Sequence, residues 1–522
     1  MSATETRTVQ FTDSCLFWLA VALVVFGVRI LPWCLAEYWY DEVLTLGNFV
    51  LDPQGKGLWG AVFRTYPIAN NHILSTAVYW VWVRALNFAL DTEWLVRLPS
   101  ILCGAALISL VVCHWRKWLG AQLANAGGLL LAISPVFTAF AYQVRGYSLS
   151  MLLAGIAISA ALEWQAGRKW TGQFIACLCC LLLPLVIPSN FLFVLSLAVF
   201  LAMLGAWQNG TFCWKGLLAG LPVVLCGCLG SAYYLTIWES FQRAAAEPAG
   251  WSSAWLAAGN VLLGFALHGA IPLLLLFWPK WIAKGDLLTK AAIWAMISAL
   301  VLLAGTMLLA RPGHAPYPRV FLVFLPFWTF ALLLFNKIRG VATRLLFPAL
   351  ALLILLTAFV IENVASEMTA DELMQGRSPS NLLQQYYRGA MGLRTATAVL
   401  KEEEWMENAV VLTDEYDLPT ANFYWLMNGG EQGKVFSPNH SRPHFWRDSA
   451  PVGKLLWVIA KNPQAAADLL SHAGFGQANE LRDKLGTPGG MALVLRCADR
   501  QLYVQPMEQP PKPRRKLDAR TI

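Results

Sequence analysis

Charge is scarce in this chain. Asp, Glu, Lys and Arg together make up 13% of its 522 residues, while 57% are hydrophobic. A soluble domain carries about 25% charged residues. There is too little charge here to cover a water-facing surface, so an ordinary soluble enzyme is excluded. Cysteine is present, with 11 residues, but not as a disulfide framework. Cys177, Cys179, Cys180, Cys226 and Cys228 lie inside apolar segments, where cysteine behaves as a small hydrophobe. Cys177 and Cys180 form a C-x-x-C that lacks the second pair or the histidines a metal or redox site needs. Cys497 stands alone in the polar C-terminal part, so that part has no internal disulfide. The net charge of +8 is not a nucleic-acid signal, because Lys and Arg fall in short clusters between apolar runs, as in loops on the cytoplasmic side of a membrane. No internal repeat is found.

What is present is a series of apolar runs. The first extends from Ser14 to about Ala36. It has no small-residue cleavage site and many runs follow it, so it reads as a membrane span rather than a removable signal. Further runs of spanning length fall near 95–114, 120–142, 146–163, 172–187, 189–207, 216–238, 254–278, 289–310, 320–336 and 345–362. The 24 Trp fit a membrane protein, whose aromatic rings gather at the interfaces. Arg116-Lys117, Arg168-Lys169, Lys280/Lys284/Lys290 and Lys337/Arg339/Arg344 agree with one another as cytoplasmic loops. With the N-terminus also cytoplasmic, an odd number of crossings is needed between about residues 37 and 115. The segment 71–90, with Arg84 inside it, is therefore read as a juxtamembrane or re-entrant helix. The expectation is an all-α bundle of about eleven spans with an external C-terminus.

From Asn363 acidic residues arrive and long apolar runs become few. Ala409–Leu412 and Leu455–Ile459 read as short buried strands, and Gln464–His472 as a helix. The expected organisation is a transmembrane domain over 1–362, with a first external loop at 37–94. A small external α/β domain follows over 363–505, then a disordered basic tail over 506–522. Asp414, Glu415 and Asp417 lack the Gly-rich spacing of a metal loop and read as a solvated acidic turn.

Charges at a membrane edge are expensive and each poses a question. Asp41 and Glu42 sit in Tyr38-Trp39-Tyr40-Asp41-Glu42, just beyond the first span. Burial and like charge would raise the pKa of one of them, and such a carboxylate can act as a general base. A pair that merely faces water is the plainer reading. Arg145, in Tyr142-Gln143-Val144-Arg145-Gly146-Tyr147, is a lone cation on the side opposite the basic loops. Arginine binds phosphate through a planar fork, or snorkels to the interface. Arg319 and His314 share that ambiguity. Asn71 and His72 suit hydrogen bonding to a sugar or phosphate. A divalent metal at His72 is left open, but no nearby carboxylate completes a site.

Taken in order, these pieces resemble the GT-C membrane glycosyltransferases. Tyr40-Asp41-Glu42-Val43 is similar to their opening motif. Asn71-His72-Ile73-Leu74, Glu93–Ser100, Ser134-Pro135 leading to Arg145-Gly146-Tyr147, Pro188-Ser189-Asn190 and Pro318-Arg319-Val320-Phe321 resemble the bacterial branch related to protein O-mannosyltransferases and lipid A aminoarabinose transferases. The resemblance runs from about residue 14 to 362. It implies transfer of a sugar from a polyprenyl-phosphate carrier to a lipid, glycan or protein acceptor on the external face. The uncleaved first span and the positive-inside pattern suggest a bacterial inner membrane, and the charge distribution gives no nucleic-acid partner. The resemblance implies Asp41 and Glu42 as catalytic residues, and Arg145, Arg319, His72, Asn71, Tyr147 and His314 as ligands of donor phosphate and sugar. The sequence departs from the mannosyltransferase His-Pro-Pro at His72-Ile73-Leu74. It also has Asn70-Asn71 where the aminoarabinose transferases place a carboxylate. A lipid-linked sugar transporter or flippase, or a non-catalytic scaffold, is the alternative reading.

Overall fold

The computed structural model describes residues 14–52, 54–64, 71–207, 213–239, 242, 287–309, 318–339, 392–402, 409–414, 417–437, 455–460, 463–472, 492–497 and 500–506. The expected spans 254–278 and 345–362, His314, Glu415 and nearly all of the basic tail lie outside them. In chain order the main helices are α1 (Cys15–Leu35), α2 (Tyr40–Thr45), α3 (Ile73–Ala85), α4 (Leu98–Ser109), α5 (Ala121–Ile133), α6 (Pro135–Ala141), α7 (Tyr147–Gln165), α8 (Lys169–Val186), α9 (Phe191–Ala206), α10 (Leu221–Ala232), α11 (Leu287–Leu309), α12 (Leu325–Arg339), α13 (Leu393–Glu402), α14 (Leu418–Met427) and α15 (Pro463–His472). The chain divides into two compact units. The first comprises Met1–Leu35, Asn48–Asn363 and Gln385–Tyr387, the second Ala36–Gly47, Val364–Gln384 and Arg388–Ile522.

The first unit is helical and built for a membrane. Among the described residues six helices are long and apolar enough to cross one: Cys15–Leu35, Leu98–Leu119, Tyr147–Gln165, Pro188–Ala206, Trp214–Ile237 and Leu287–Thr306. The protein is an integral membrane protein. The pair α5 and α6 adds a seventh span if the two count as one, bent by 64°. Ser134 is extended there and its Oγ accepts the N–H of Phe137, with Pro135 next. Proline has no N–H to continue the first helix and is preorganised to begin the second. Trp170–Val186 and Phe321–Leu334 are shorter apolar helices, at two positions where the apolar runs predict spans. In α7, 78% of the most apolar stretch is buried, against 17% in α1; α7 is therefore central and α1 peripheral. A Cβ on Gly172 of α8 would stand 2.5 Å from the carbonyl oxygen of Ala160 in α7. Backbones come this close through small residues because lipid supplies no hydrophobic drive between helices.

The segment 71–90 forms α3, a 13-residue helix too short to span. Arg84 near its end donates from Nη1 to the carbonyls of Val50 and Trp80 and lies over the Trp80 ring. The guanidinium is held by a chain turned back on itself.

The second unit contains a five-stranded mixed sheet in the order β2-β1-β3-β5-β4, with β1 (Ala409–Leu412), β2 (Val435–Phe436), β3 (Leu455–Ala460), β4 (Ala492–Cys497) and β5 (Arg500–Pro506). β1 pairs parallel with β2 and β3, whereas β5 pairs antiparallel with β3 and β4. Val410, Leu412, Val458 and Ala460 pack against Ala466, Ala467 and Leu470 of α15. Val411 and Trp457, on the alternate face, are buried as well. A strand covered on both faces reads as a continuous apolar run rather than an alternating one.

Ala36–Gly47 groups with this second unit, although it follows directly on the first span. The carboxylate of Glu37 accepts the backbone N–H groups of Leu393 and Arg394 at 2.9 and 3.0 Å, the open N-terminal donors of α13. The Tyr38 N–H donates to Tyr424 Oη at 2.7 Å, and the Tyr38 ring meets Phe423 edge-on.

Candidate functional site

In the first unit, the turn 142–146 between α6 and α7 carries Arg145. Its backbone is fixed from two sides. The Gln143 carbonyl accepts from Tyr79 Oη of α3 and from Ser100 Oγ of α4. Ser148 at the start of α7 donates to the Ser100 carbonyl at 2.8 Å. Arg97, just before α4, donates to the carbonyls of Trp33 and Cys34 at 2.9 Å and so ties down the last turn of α1. These bonds bring the end of α1 and the starts of α3, α4 and α7 to one edge of the helical unit.

His72 precedes α3 at that edge. The Gly146 N–H donates to His72 Nδ1 at 2.8 Å, and Arg145 Nη2 stands 3.3 Å from His72 Nε2. A backbone N–H can only donate, so Nδ1 holds a lone pair and the neutral ring carries its proton on Nε2. That Nε2–H faces a guanidinium, which also only donates. The two groups do not hydrogen-bond to each other; they present donors side by side. His72 and Arg145 are 5% and 2% exposed. Burial first, then the charges of Arg145 and Arg319, hold the His72 pKa well below 6.5, which keeps the ring neutral. Arg319 lies in the 3-10 turn Pro318–Phe324, which packs against α7. Tyr147 meets the His72 ring edge-on at 5.1 Å, with the Arg145 Cζ 5.8 Å from the Tyr147 ring. Asn71 Nδ2 donates to the Val62 carbonyl at 2.9 Å, holding the preceding segment.

The approach of His72 to the turn requires a glycine at 146. A Cβ there would lie 2.6 Å from Val186 Cγ1 and 3.0 Å from His72 Nδ1. The Gly146 φ of −80° is open to any residue, so space and not backbone conformation is the constraint.

Structure thus brings His72, Arg145, Arg319 and Tyr147 together in one unit. The corner does not fit a metal ion. His72 offers an N–H rather than a lone pair, and a guanidinium stands beside it. Among the described residues, no group of three or more His, Cys, Asp or Glu converges.

Asp41 and Glu42 lie in the second unit, in the first turn of α2, 3% and 0% exposed. Glu42 Oε2 accepts the Trp39 N–H at 2.9 Å, closing the start of that helix. Thr45 Oγ1 donates to the Asp41 carbonyl. The two adjacent acids therefore differ in surroundings: Glu42 is held as a cap. That distinction has no signal in the sequence beyond the position of Glu42 three residues after Trp39.

A polytopic helical unit followed by a mixed α/β unit is a fold this chain shares with solved membrane proteins. The crystal structure of ArnT from Cupriavidus metallidurans in the apo state, a lipid A aminoarabinose transferase, superposes with a TM-score of 0.54 at 15% identity, covering 96% of this chain and 99% of that one. The same protein bound to undecaprenyl phosphate gives 0.54 at 14% identity, covering 94% and 97%. The oligosaccharyltransferase AglB from Archaeoglobus fulgidus, in complex with an inhibitory peptide and a dolichol-phosphate, gives 0.45 at 12% identity over 88% of this chain and 71% of that one. No protein-family model matches the sequence, and no curated protein sequence does.

Proposed function

We propose that the protein is a membrane glycosyltransferase that moves a sugar from a polyprenyl-phosphate donor to an acceptor hydroxyl at the external face of a bacterial inner membrane. The observation that carries this reading is the buried edge where His72 Nε2–H and Arg145 direct donors to one place. Such a corner suits the oxygens of a phosphate and repels a cation. The fold it sits in is shared with a protein crystallised with undecaprenyl phosphate.

The chemistry follows from the groups. The bond from the anomeric carbon to the phosphate oxygen breaks as the acceptor oxygen attacks. A phosphate monoester has its second pKa near about 6, so it departs without a general acid. Arg145 and Arg319 stabilise the charge that develops on it, and the neutral His72 adds one directed hydrogen bond. Asn71 holds the chain that positions His72, and Tyr147 supports the ring. Asp41 takes the acceptor proton, while Glu42 fixes the helix that bears Asp41. One displacement inverts the anomeric configuration.

Purified protein in nanodiscs tests this with a panel of undecaprenyl-phosphate sugars. Asp41→Asn is expected to lower turnover by about 100-fold or more while binding of undecaprenyl phosphate persists. Arg145→Gln is expected to lose that binding. Full turnover by the Asp41→Asn protein, or product of retained configuration, would remove the assigned mechanism. Measurable movement of the lipid-linked sugar across vesicles without transfer would favour a transporter instead.

A further inference from the structure

Asn190 lies in the turn Pro188–Asn190 that joins α8 to α9, at the same edge as Arg145, and it is fully buried. Its Nδ2 donates to Ser150 Oγ at 2.8 Å and to the Leu183 carbonyl at 3.0 Å. A carbonyl oxygen only accepts, so the amide orientation is fixed: flipping it would set two oxygens against each other. The Asn190 Oδ1 is left with no hydrogen-bond partner among the described residues.

This acceptor adjoins the donor corner. Ser150, which takes the Asn190 amide, has its own N–H bonded to the Gly146 carbonyl at 2.9 Å. Val186, four residues before Asn190, closes on Gly146 from the other side. The turn that carries Arg319 packs against the turn that carries Asn190. Two further buried oxygens at this edge are also without partners: Gln143 Oε1, two residues before Arg145, and Thr76 Oγ1, one helical turn beyond His72. A sealed, unsatisfied acceptor destabilises a fold, and native proteins keep few of them. Several at the edge that presents phosphate-directed donors point to a ligand that brings O–H groups beside an anion.

We propose that Asn190 Oδ1 accepts a hydrogen bond from a hydroxyl of the donor sugar, and that this makes the enzyme selective for a neutral, hydroxylated sugar. The proposal rests on the glycosyltransferase reading above. A phosphate oxygen cannot be the group met, because it offers no proton to an amide oxygen. An ammonium substituent could donate, but it would stand among the guanidiniums of Arg145 and Arg319, and like charges in a site of low dielectric repel strongly. Asn190 Oδ1 is closed to solvent, as His72 and Arg145 nearly are, so docking of the carrier uncovers sugar acceptor and phosphate donors together.

The test uses the full-length protein in nanodiscs and two measurements. The first is turnover with undecaprenyl-phosphate-linked glucose, galactose, mannose and 4-amino-arabinose, followed by single-deoxy analogues of the best donor. The second is affinity for undecaprenyl phosphate alone. A neutral sugar should be the best donor, and removal of one particular hydroxyl should lower kcat/KM by at least about tenfold. In Asn190→Leu that penalty should vanish, while affinity for undecaprenyl phosphate stays unchanged. Asn190→Ala serves as a second variant should the leucine not fit. The assignment to Asn190 is overturned if both variants slow all donors alike and keep the deoxy penalty, if carrier affinity falls with turnover, or if no hydroxyl matters to the wild type. Preference for the amino sugar overturns the neutral class. No turnover and no carrier binding in the wild type would instead overturn the glycosyltransferase reading itself.

Discussion

The Gly146 N–H meets Nδ1 of His72 at 2.8 Å, and this one bond decides which ring nitrogen holds the proton. The consequence reaches past the ring. With the proton on Nε2, the ring turns a donor toward Arg145, whose guanidinium also only donates.

The first prediction concerns pH. Burial, Arg145 and Arg319 hold His72 well below 6.5 in the folded protein, whereas in the unfolded chain it titrates near about 6.5. Above that value both states carry a neutral ring and His72 adds no pH dependence. Below it the unfolded state binds a proton that the folded state refuses. Stability therefore falls on acidification, by up to about 1.4 kcal/mol per pH unit from this group. His72→Gln should show a shallower fall than wild type in thermal midpoints measured from about pH 7.5 to about pH 5.5. Parallel curves would contradict a neutral His72.

Gly146→Ala tests the close approach. The added methyl would overlap Val186 Cγ1 and press on His72 Nδ1. Overpacking of this kind costs about 1–3 kcal/mol, and the displaced ring loses its fixed tautomer. Both the thermal midpoint and the affinity for undecaprenyl phosphate should drop. An alanine variant that binds the carrier as the wild type does would show that the ring need not sit where it does.

Glu37→Gln tests the clasp between Ala36–Gly47 and α13. The carboxylate accepts two backbone N–H groups at the helix start, and charge-assisted bonds of this type contribute about 1.5–3 kcal/mol. The neutral amide keeps one acceptor oxygen and loses the charge. Amide hydrogen exchange should accelerate over residues 392–402. Unchanged protection there would mean that the apolar contacts of Tyr38 suffice.

Glu163→Gln supplies the contrast. Glu163 contacts Lys117, His114 and Arg168 at 2.8, 3.4 and 3.5 Å, and Lys117 and Arg168 are themselves well exposed. Pairs with solvent-screened partners contribute about 0–1 kcal/mol, so the thermal midpoint should barely move. A large loss would indicate that lipid shields this network from water.

The apolar runs made most of the membrane helices legible, because a bilayer imposes length and polarity together. The short strands Ala409–Leu412 and Leu455–Ala460 could be read for a related reason: both faces are buried, so the run is unbroken. Arg145, His72 and Arg319 stood out because a polar or charged group at a membrane edge is costly and must be answered by something. Other parts had no such signature. Glu42 looks like Asp41 in sequence, and the Trp39 N–H that Glu42 accepts is set only by the local fold. The tautomer of His72 depends on a backbone donor 74 residues away. Arg97 seemed part of a motif and proves to hold the end of α1, a contact that only folding creates.

The clasp on Ala36–Gly47 also sets an order of events during synthesis. Glu37 and Leu393 are 356 residues apart, and ribosomes add about 5–20 residues per second. The segment bearing Asp41 is thus made tens of seconds before the helix that holds it. Any chain halted short of residue 393 would carry its acidic pair on an unclasped segment. The second unit is completed last, although its earliest piece follows directly on the first span.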